Sequence, residues 1–244
     1  MKYGILGDIH ANLSALEAAL ERFHAKGVDC VVSVGDVVGY GAAPRECIDL
    51  LRSVEAHVVK GNHDAACAGE LDDSSFNGYA QKAVRWTRGL LSDEEKSWLS
   101  SLPMTIDLEH CTIAHGTLHE PERYDYIQCT GDADPSLEIM ERPVCFVGHT
   151  HVPVSLLRLK DDSNRTAYTF DTIVDLSETS RALVNVGSVG QPRDEDARTA
   201  YVIFDTDDNL VRIERATYDI EREARRIRDA GLPPMLADRL FLGV

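Results

Sequence analysis

Five short polar clusters interrupt this chain of 244 residues, and each follows a run of apolar residues. An apolar run that is bounded by polar or glycine residues is typical of a buried strand. The clusters are Asp8-Ile9-His10, Gly35-Asp36, Gly61-Asn62-His63-Asp64, His115 and Gly148-His149-Thr150-His151. The chain must therefore fold so that several buried strands each end in side chains that can bind a metal ion.

Strand and helix patterns alternate over the first 60 or so residues. Residues 3–7, 30–34 and 57–59 are short apolar runs that predict strands. Asn12 is a candidate N-cap for a helix after the first run, and Pro44 opens a helix after the second. This βαβαβ pattern predicts a parallel sheet, in which ligands gather beyond the carboxyl ends of the strands. Asp8, Asp36 and Asn62 all fall there.

The remaining chain predicts a helical middle and a strand-rich second half. Helices are predicted over residues 79–90 and 92–102, the second with a capping box from Ser92 to Glu95, and another starts at Asp134. Residues 104–108 and 111–114 predict a hairpin that delivers His115, and residues 144–147 predict a strand that delivers His149.

Five runs in the second half predict a mixed or antiparallel sheet that packs on the first sheet. They are residues 152–159, 166–170, 183–186, 200–204 and 210–217. Helices follow over residues 219–229 and from Met235 onwards. Because no repeat or linker divides the chain, we expect residues 1–244 to form a single domain.

Charge, apolar stretches and cysteine spacing indicate which partners and which compartment to expect. The formal net charge of −16 opposes binding to nucleic-acid duplexes. No stretch approaches the ~20 consecutive apolar residues of a membrane span, and the run before Asp8 is too short for a secretory signal. The six cysteines are scattered without a C-x-x-C pair, so we expect buried thiols and a cytoplasmic protein.

The donor atoms in the clusters suit a two-metal hydrolytic site. Together the clusters supply three carboxylates, one amide and five imidazoles. Oxygen donors mixed with imidazoles suit divalent transition metals, whereas no cysteine joins the set to indicate a structural zinc site. Manganese is the first choice, with iron, zinc, nickel or cobalt also compatible.

The clusters resemble the calcineurin-like metallophosphoesterase superfamily, whose pattern is D-x-H, G-D, G-N-H-[DE], H and G-H-x-H. The resemblance covers residues 3–151. A Gly-Ser loop at residues 185–193 is similar to that of the small bacterial and archaeal members. The resemblance implies an α/β fold, a four-layer α/β/β/α sandwich of two mixed β-sheets flanked by helices.

The resemblance also implies a role for each motif residue. One metal ion would be bound by Asp8, His10, Asp36 and His151, and a second by Asp36, Asn62, His115 and His149. Asp36 would bridge the two ions. His63 would contact the phosphoryl group and help to protonate the leaving oxygen, and Asp64 could orient the His63 imidazole and raise its pKa.

Four further residues have two interpretations each. Arg123 and Arg193 could bind phosphate, but solvated or salt-bridged surface positions are equally compatible with the sequence. Tyr40 could shape the cleft or pack in the core. His119 could line the site or belong to a polar loop.

One departure from the family pattern narrows the function. Protein Ser/Thr phosphatases and the related diadenosine tetraphosphatases carry an arginine in a D-R-G run, where this chain has Gly39-Tyr40-Gly41. The missing arginine disfavours a phosphoprotein phosphatase and favours the phosphodiesterase-like branch.

We therefore predict hydrolysis of a small phosphate ester, a phosphodiester or a nucleotide, by in-line attack of a metal-bridging hydroxide. A phosphomonoesterase and a dinucleoside polyphosphate hydrolase are alternatives. An alternative of another class is a non-catalytic, metal-binding scaffold for protein interactions. Some members of the superfamily resemble the retromer subunit, which keeps the fold and works in this way. The intact His63 distinguishes the chain from such a scaffold.

Overall fold

A computed structural model describes residues 1–244 as two six-stranded sheets and eight α-helices. The strands are β1 Lys2–Leu6, β2 Cys30–Ser33, β3 His57–Val58, β4 Thr105–Asp107, β5 Cys111–Ala114, β6 Val144–Val147, β7 Val154–Leu159, β8 Thr166–Thr169, β9 Ile173–Asp175, β10 Thr179–Asn185, β11 Thr199–Asp205 and β12 Leu210–Ala216. The helices are α1 Leu13–Ala25, α2 Pro44–Ser53, α3 Asn62–Ala68, α4 Gly78–Leu90, α5 Asp93–Ser101, α6 Thr130–Ile139, α7 Ile220–Asp229 and α8 Pro234–Asp238.

Both sheets are mixed. The first has the order β3-β2-β1-β11-β12-β9, and its first three strands are parallel, as the βαβαβ pattern predicts. The second has the order β4-β5-β6-β10-β7-β8, with β5, β6 and β10 parallel and the predicted β4–β5 hairpin antiparallel.

A second mixed sheet that packs on the first is confirmed, but the prediction that all five runs of the second half lie in it is wrong. Strands β11, β12 and β9 extend the first sheet, and β7, β8 and β10 join the second. Strand β11 pairs antiparallel with β1, with Val202 opposite Ile5. Without β11, the backbone groups on one side of β1 would be unpaired at the centre of the molecule, which is unfavourable for a buried strand.

The layers are visible in the hydrophobic clusters. Ile5 of the first sheet and Phe146 of the second belong to one buried cluster between the two sheets. Helices α1 and α2 cover the outer face of the first sheet with residues such as Leu16, and α6 covers the second sheet with Leu137. The expected four-layer α/β/β/α sandwich is therefore confirmed.

Local capping explains where several helices begin. The Asn12 side chain accepts a hydrogen bond from the Ala15 N–H at 3.1 Å, and Ser92 with Glu95 forms the predicted capping box. Helix α6, however, begins at Thr130 rather than at Asp134. The Asp132 carboxylate accepts the N–H of Gln128 and of Cys129, each at 2.9 Å, and so closes the first turn earlier.

The length of the helices and the exposure of the cysteines test two expectations from composition. None of them combines the length and the apolar character that crossing a bilayer requires. All six cysteines are free: four of them are buried, Cys30 is half-buried, and Cys129 is exposed at the start of α6. The expectation of buried thiols is therefore wrong for Cys129, which lies immediately before the first turn of α6 and is exposed to solvent.

Candidate metal centre

The five polar clusters meet at one edge of the sandwich. Asp8 follows β1, Asp36 follows β2, and Asn62 begins α3 just after β3 in the first sheet. His115 follows β5, and the Gly148–His151 turn follows β6 in the second sheet. Both sheets therefore contribute donor atoms at the carboxyl ends of their parallel strands.

One group of potential ligands contains Asp8, His10 and His151, whose donor atoms lie within 4.8 Å of one another. The two imidazole Nε2 atoms of this group are 3.0 Å apart, and His151 Nε2 is 3.4 Å from Asp8 Oδ1. Asp36 Oδ2 lies 3.6 Å from His10 Nε2. All four side chains are buried.

A second group contains Asp36, His115 and His149. His115 Nε2 is 3.5 Å from Asp36 Oδ2, 3.1 Å from His149 Nδ1 and 3.0 Å from Asn62 Oδ1. Asp36 Oδ2 is thus close to an imidazole of each group. The structure brings together all seven residues that the sequence predicts as ligands. A third group with donor atoms in the same range contains His10, Asp36 and His63.

In three of the imidazoles, the hydrogen bond made by Nδ1 shows that the lone pair lies on Nε2, which faces the centre of the site. The Nδ1 atoms of His10, His115 and His151 lie 3.2, 2.8 and 2.6 Å from the backbone carbonyls of Val38, Val34 and Gln191 respectively. Because a carbonyl only accepts, each Nδ1 carries the proton, and each Nε2 presents a lone pair. The two lone pairs of His10 and His151 face each other, which is unfavourable unless a cation binds both. The donor set therefore fits a metal ion.

Burial also shifts the ionisation of the site toward neutral groups. Burial raises the pKa of Asp8 to about 7 and raises the pKa of Asp36 well above its usual range, where the neighbouring Asp64 adds to the shift. Burial and the other positive groups lower the pKa values of His10, His149 and His151. A divalent cation would reverse the carboxyl shifts, because it favours the charged form of each acid.

The backbone around the ligands is strained. Five of the seven predicted ligands have left-handed φ angles, which are rare for residues other than glycine. These are Asp8 and His10 (both 48°), Asp36 (53°), His151 (63°) and His149 (71°). A Cβ on Gly148 would lie 2.4 Å from Asp8 Oδ2, and one on Gly61 would lie 2.1 Å from Asp36 Oδ1. The two motif glycines are therefore needed because a carboxylate packs directly on each Cα.

His63 lies beside the ligands, in a buried aromatic environment. The centroid of its ring is 4.5 Å from that of Tyr40, 4.7 Å from His10 and 4.9 Å from Phe76. Its Nδ1 atom is buried without a hydrogen-bond partner. Burial, with the nearby positive charge of Arg193, lowers the pKa of His63 to about 3, so the free imidazole is neutral.

The prediction that Asp64 orients His63 and raises its pKa is wrong. The Asp64 carboxylate accepts the N–H of Val38 at 3.2 Å and the N–H of Gly61 at 3.0 Å, and it makes no hydrogen bond to the His63 imidazole. Consecutive residues of a helix point in different directions, and both belong to α3. Asp64 instead joins the second and third motifs through their backbones.

Of the four ambiguous residues, two lie at the site. Arg193 donates to the Gln191 side chain at 3.0 Å and to the Tyr40 hydroxyl at 3.4 Å, and its Nε is buried without a partner. Tyr40 packs against both His63 and His10. Arg123 and His119 are surface residues: Arg123 pairs with Glu120 at 3.2 Å and Asp125 at 2.9 Å, and the His119 side chain is 48% exposed.

Two aromatic residues at the site carried no sequence signal. The Tyr126 ring stacks on His149, with centroids 3.8 Å apart and planes inclined by 18°. Phe76 contacts His63 as described above. Both residues lie in loops between motifs, where neither spacing nor hydrophobic period marks them.

Comparison with known families identifies the superfamily to which this fold and these motifs belong. The model of the calcineurin-like phosphoesterase superfamily domain matches residues 1–209. The chain belongs to this superfamily of metal-dependent phosphoester hydrolases.

The chain is similar to several individual proteins over different lengths. It is 39% identical to the metallophosphoesterase from Sphaerobacter thermophilus, whose crystal structure superposes with a TM-score of 0.87 and full coverage of both chains. It is 34% identical over 243 residues to the uncharacterized protein MJ0912 of Methanocaldococcus jannaschii, covering 98% of this chain and 97% of that protein. It is 28% identical over 162 residues to the phosphodiesterase YfcE of Escherichia coli K12, covering 64% of this chain and 72% of that protein.

Proposed function

We propose that the chain is a dinuclear metal-dependent phosphodiesterase that acts on a small phosphate ester. The observation that carries the proposal is the convergence of buried ligand groups on Asp36 Oδ2, which lies 3.6 Å from His10 Nε2 and 3.5 Å from His115 Nε2, next to a neutral His63. Similarity to a protein named phosphodiesterase supports the diester preference, as does Gly39-Tyr40-Gly41 in place of the D-R-G run.

In the proposal, each ligand set holds one ion. Asp8, His10, Asp36 and His151 would hold the first ion, and Asp36, Asn62, His115 and His149 the second. We propose manganese, with iron, zinc, nickel or cobalt also compatible with oxygen and imidazole donors. When bound, such ions polarise the phosphoryl oxygens and activate water for attack.

His63 is proposed as the catalytic residue that touches the phosphate. Because its Nδ1 atom is buried against Gly39, we propose that the other ring nitrogen, Nε2, binds a phosphoryl oxygen and passes a proton to the leaving oxygen. An anionic phosphate beside the ring would oppose the effect of burial and raise the pKa of His63 above its value of about 3.

Arg193 and Asp64 are proposed to position the reacting groups. Arg193 brings a positive charge to the site from the Gly-Ser loop and would attract the phosphate, the task of the arginine that is missing after the second motif. Asp64 is a positioning residue, since its carboxylate holds the turn at Gly61 against Val38.

The proposal treats residues 1–244 as one catalytic domain in the cytoplasm. Strands from both halves of the chain lie in each sheet, which supports a single unit. Six unpaired cysteines are compatible with a reducing compartment. The net charge of −16 favours a small substrate over a polyanion.

The experiment that tests the proposal is hydrolysis of bis-p-nitrophenyl phosphate and p-nitrophenyl phosphate by the Mn²⁺-loaded protein. We expect preference for the diester and a loss of about 10²- to 10⁴-fold in turnover for His63→Ala, with unchanged metal content. His24→Ala, at an exposed position on α1, is the matched control and should retain full activity. A loss of metal in His63→Ala would make His63 a ligand, and no hydrolysis with any divalent metal would favour the scaffold.

A further inference from the structure

An open cleft of about 810 Å³ lies next to the candidate metal centre. Its volume falls in the range of about 300–1,000 Å³ that is typical of small-molecule sites. Thr150, which lies between the predicted ligands His149 and His151, is part of its wall, and so is Arg193. The cleft therefore begins where the phosphate of the proposed substrate would be bound.

Tyr126 connects the metal centre to the cleft. Its ring stacks on the His149 imidazole at a centroid distance of 3.8 Å, yet 49% of the residue is exposed, and it lines the cleft. An arrangement of this kind gives a flat aromatic surface within reach of an ester group on the phosphate. The orientation of His149 and the shape of the cleft thus depend on the same side chain.

The wall of the cleft also carries an aromatic pair. Tyr168 at the end of β8 and Phe170 just after it line the cleft, and 63% and 64% of these residues are exposed. Their ring centroids are 5.7 Å apart with planes at 75°. Exposed aromatic rings that share a concave surface with a half-buried arginine indicate a ligand site rather than ordinary surface.

We propose that this cleft binds the planar aromatic base of a nucleotide ester whose phosphate is held at the metal centre. The inference rests on the proposed function and gives its substrate class as a mononucleotide phosphodiester. Aromatic side chains stack on any base, and Arg193 is the one cationic residue in the cleft wall, so the cleft suits one phosphate and one base. A longer nucleic acid would meet the net charge of −16 without a basic track to follow.

Binding of two simple probes to the Mn²⁺-loaded protein tests the inference. Adenosine 5′-monophosphate and ribose 5-phosphate carry the same phosphate and sugar but differ in the base. We expect calorimetry to show the adenosine compound binding about ten-fold more tightly, the effect of base stacking. Tyr168→Ser and Phe170→Ser should remove this difference without weakening ribose 5-phosphate binding.

Tyr79→Ser is the matched control, because Tyr79 is a tyrosine on α4 that is 47% exposed and lies outside the cleft. It should leave both affinities unchanged. Equal binding of the two probes to the wild-type chain would overturn the inference. So would a change in oligomeric state, with unchanged nucleotide binding, in the Tyr168 and Phe170 variants, since the pair would then be a contact between chains.

A second readout uses the wild-type chain and no catalysis. Cys129 lines the cleft and is exposed, whereas four of the other five cysteines are buried. Adenosine 5′-monophosphate should slow alkylation of Cys129 by iodoacetamide, as followed by mass spectrometry, and ribose 5-phosphate should not. Protection by both probes or by neither would place the base elsewhere.

The two proposals fail in different ways. Hydrolysis of the p-nitrophenyl diester without base-dependent binding would overturn the base site and leave the proposed function intact. Base-dependent binding without hydrolysis of any ester would support the cleft as a nucleotide site and overturn the hydrolase.

Discussion

The ionisable side chains of the candidate metal centre are held in an environment that opposes their charge. Burial raises the pKa of Asp8 to about 7 and lowers that of His63 to about 3, so both groups are neutral at pH 6 when no cation is bound. A cation that binds the site must displace protons from the carboxyl groups but not from these imidazoles. The ionisation of these side chains therefore predicts that metal binding depends on pH.

Binding of Mn²⁺ to the metal-free protein should release protons at pH 6 and fewer at pH 8.5. The folded pKa of Asp8 lies above its ordinary value, so its carboxyl is protonated below about pH 7 and must ionise to bind metal. Metal affinity should accordingly weaken as the pH falls from 8 to 6. A pH-indicator dye in weakly buffered solution measures the release.

Asp73→Asn is the control for this prediction. Asp73 bonds to Arg85 at 2.8 Å, which holds its pKa below the usual range, and it lies away from the ligands. The variant should release as many protons as the wild type. Equal release at the two pH values would contradict the ionisation states derived from burial.

Single residues also show what sequence reasoning could reach. The ligand types and their order identified the side chains that converge. The left-handed backbone at Asp8, Asp36 and His149 could not be predicted, because it depends on packing against loops distant in sequence. The stacking of Tyr126 on His149 was missed for the same reason.

At the scale of elements, the loop after β10 holds the ligand loop after β1 in place. The N–H of Val189 donates to Gly7 O at 2.7 Å, the N–H of Gly190 donates to Asp8 O at 3.0 Å, and the Ser188 hydroxyl donates to Asp8 O at 2.7 Å. These contacts explain the Gly-Ser loop as a structural support for Asp8. They also leave no room for a side chain at Gly190.

Gly190→Ala should lower the free energy of unfolding by about 1–3 kcal/mol or more, because overpacking displaces backbone. A Cβ at this position would lie 1.8 Å from the carbonyl oxygen of Ile9. Gly89→Ala is the matched control, since Gly89 is exposed in α4 with nothing within 4 Å, and it should raise the stability by about 0.5–1 kcal/mol. Urea denaturation measures both changes, and equal effects would refute the close contact.

Element prediction succeeded where a segment was long enough to show a period. Helices α1 and α5 and most strands follow their patterns. Helix α3 has seven residues and β9 has three, too few for a pattern to stand out. Helix α6 begins earlier than Pro135 indicates, because proline is typical of a helix first turn and Asp132 caps a turn that precedes it.

At the scale of the whole molecule, the candidate metal centre joins the two sheets. Asp8 and Asp36 follow strands of the first sheet, and His115, His149 and His151 follow strands of the second. A cation shared by both sets would connect the sheets at their common edge. The assignment of β11 to the first sheet was beyond sequence reasoning, because it depends on pairing over nearly 200 residues.

Mn²⁺ should therefore stabilise the whole fold. At a free concentration 100 times its Kd, one site adds about 2.7 kcal/mol to the free energy of unfolding. For a chain of this size the expected rise in Tm is about 5–11 °C. Differential scanning fluorimetry with Mn²⁺ or with chelator measures the shift, and an unchanged Tm at saturating Mn²⁺ would argue against a site between the sheets.

The most direct test of a shared, two-ion centre is the diesterase rate of metal-free protein as Mn²⁺ is added in known equivalents. With a two-ion centre, hydrolysis of bis-p-nitrophenyl phosphate should rise until two equivalents per chain are bound. Asp36→Asn should bind fewer than one equivalent, because both sets use its carboxylate. Full activity at one equivalent, or loss of a single ion in Asp36→Asn, would contradict a centre in which Asp36 is shared by two ions.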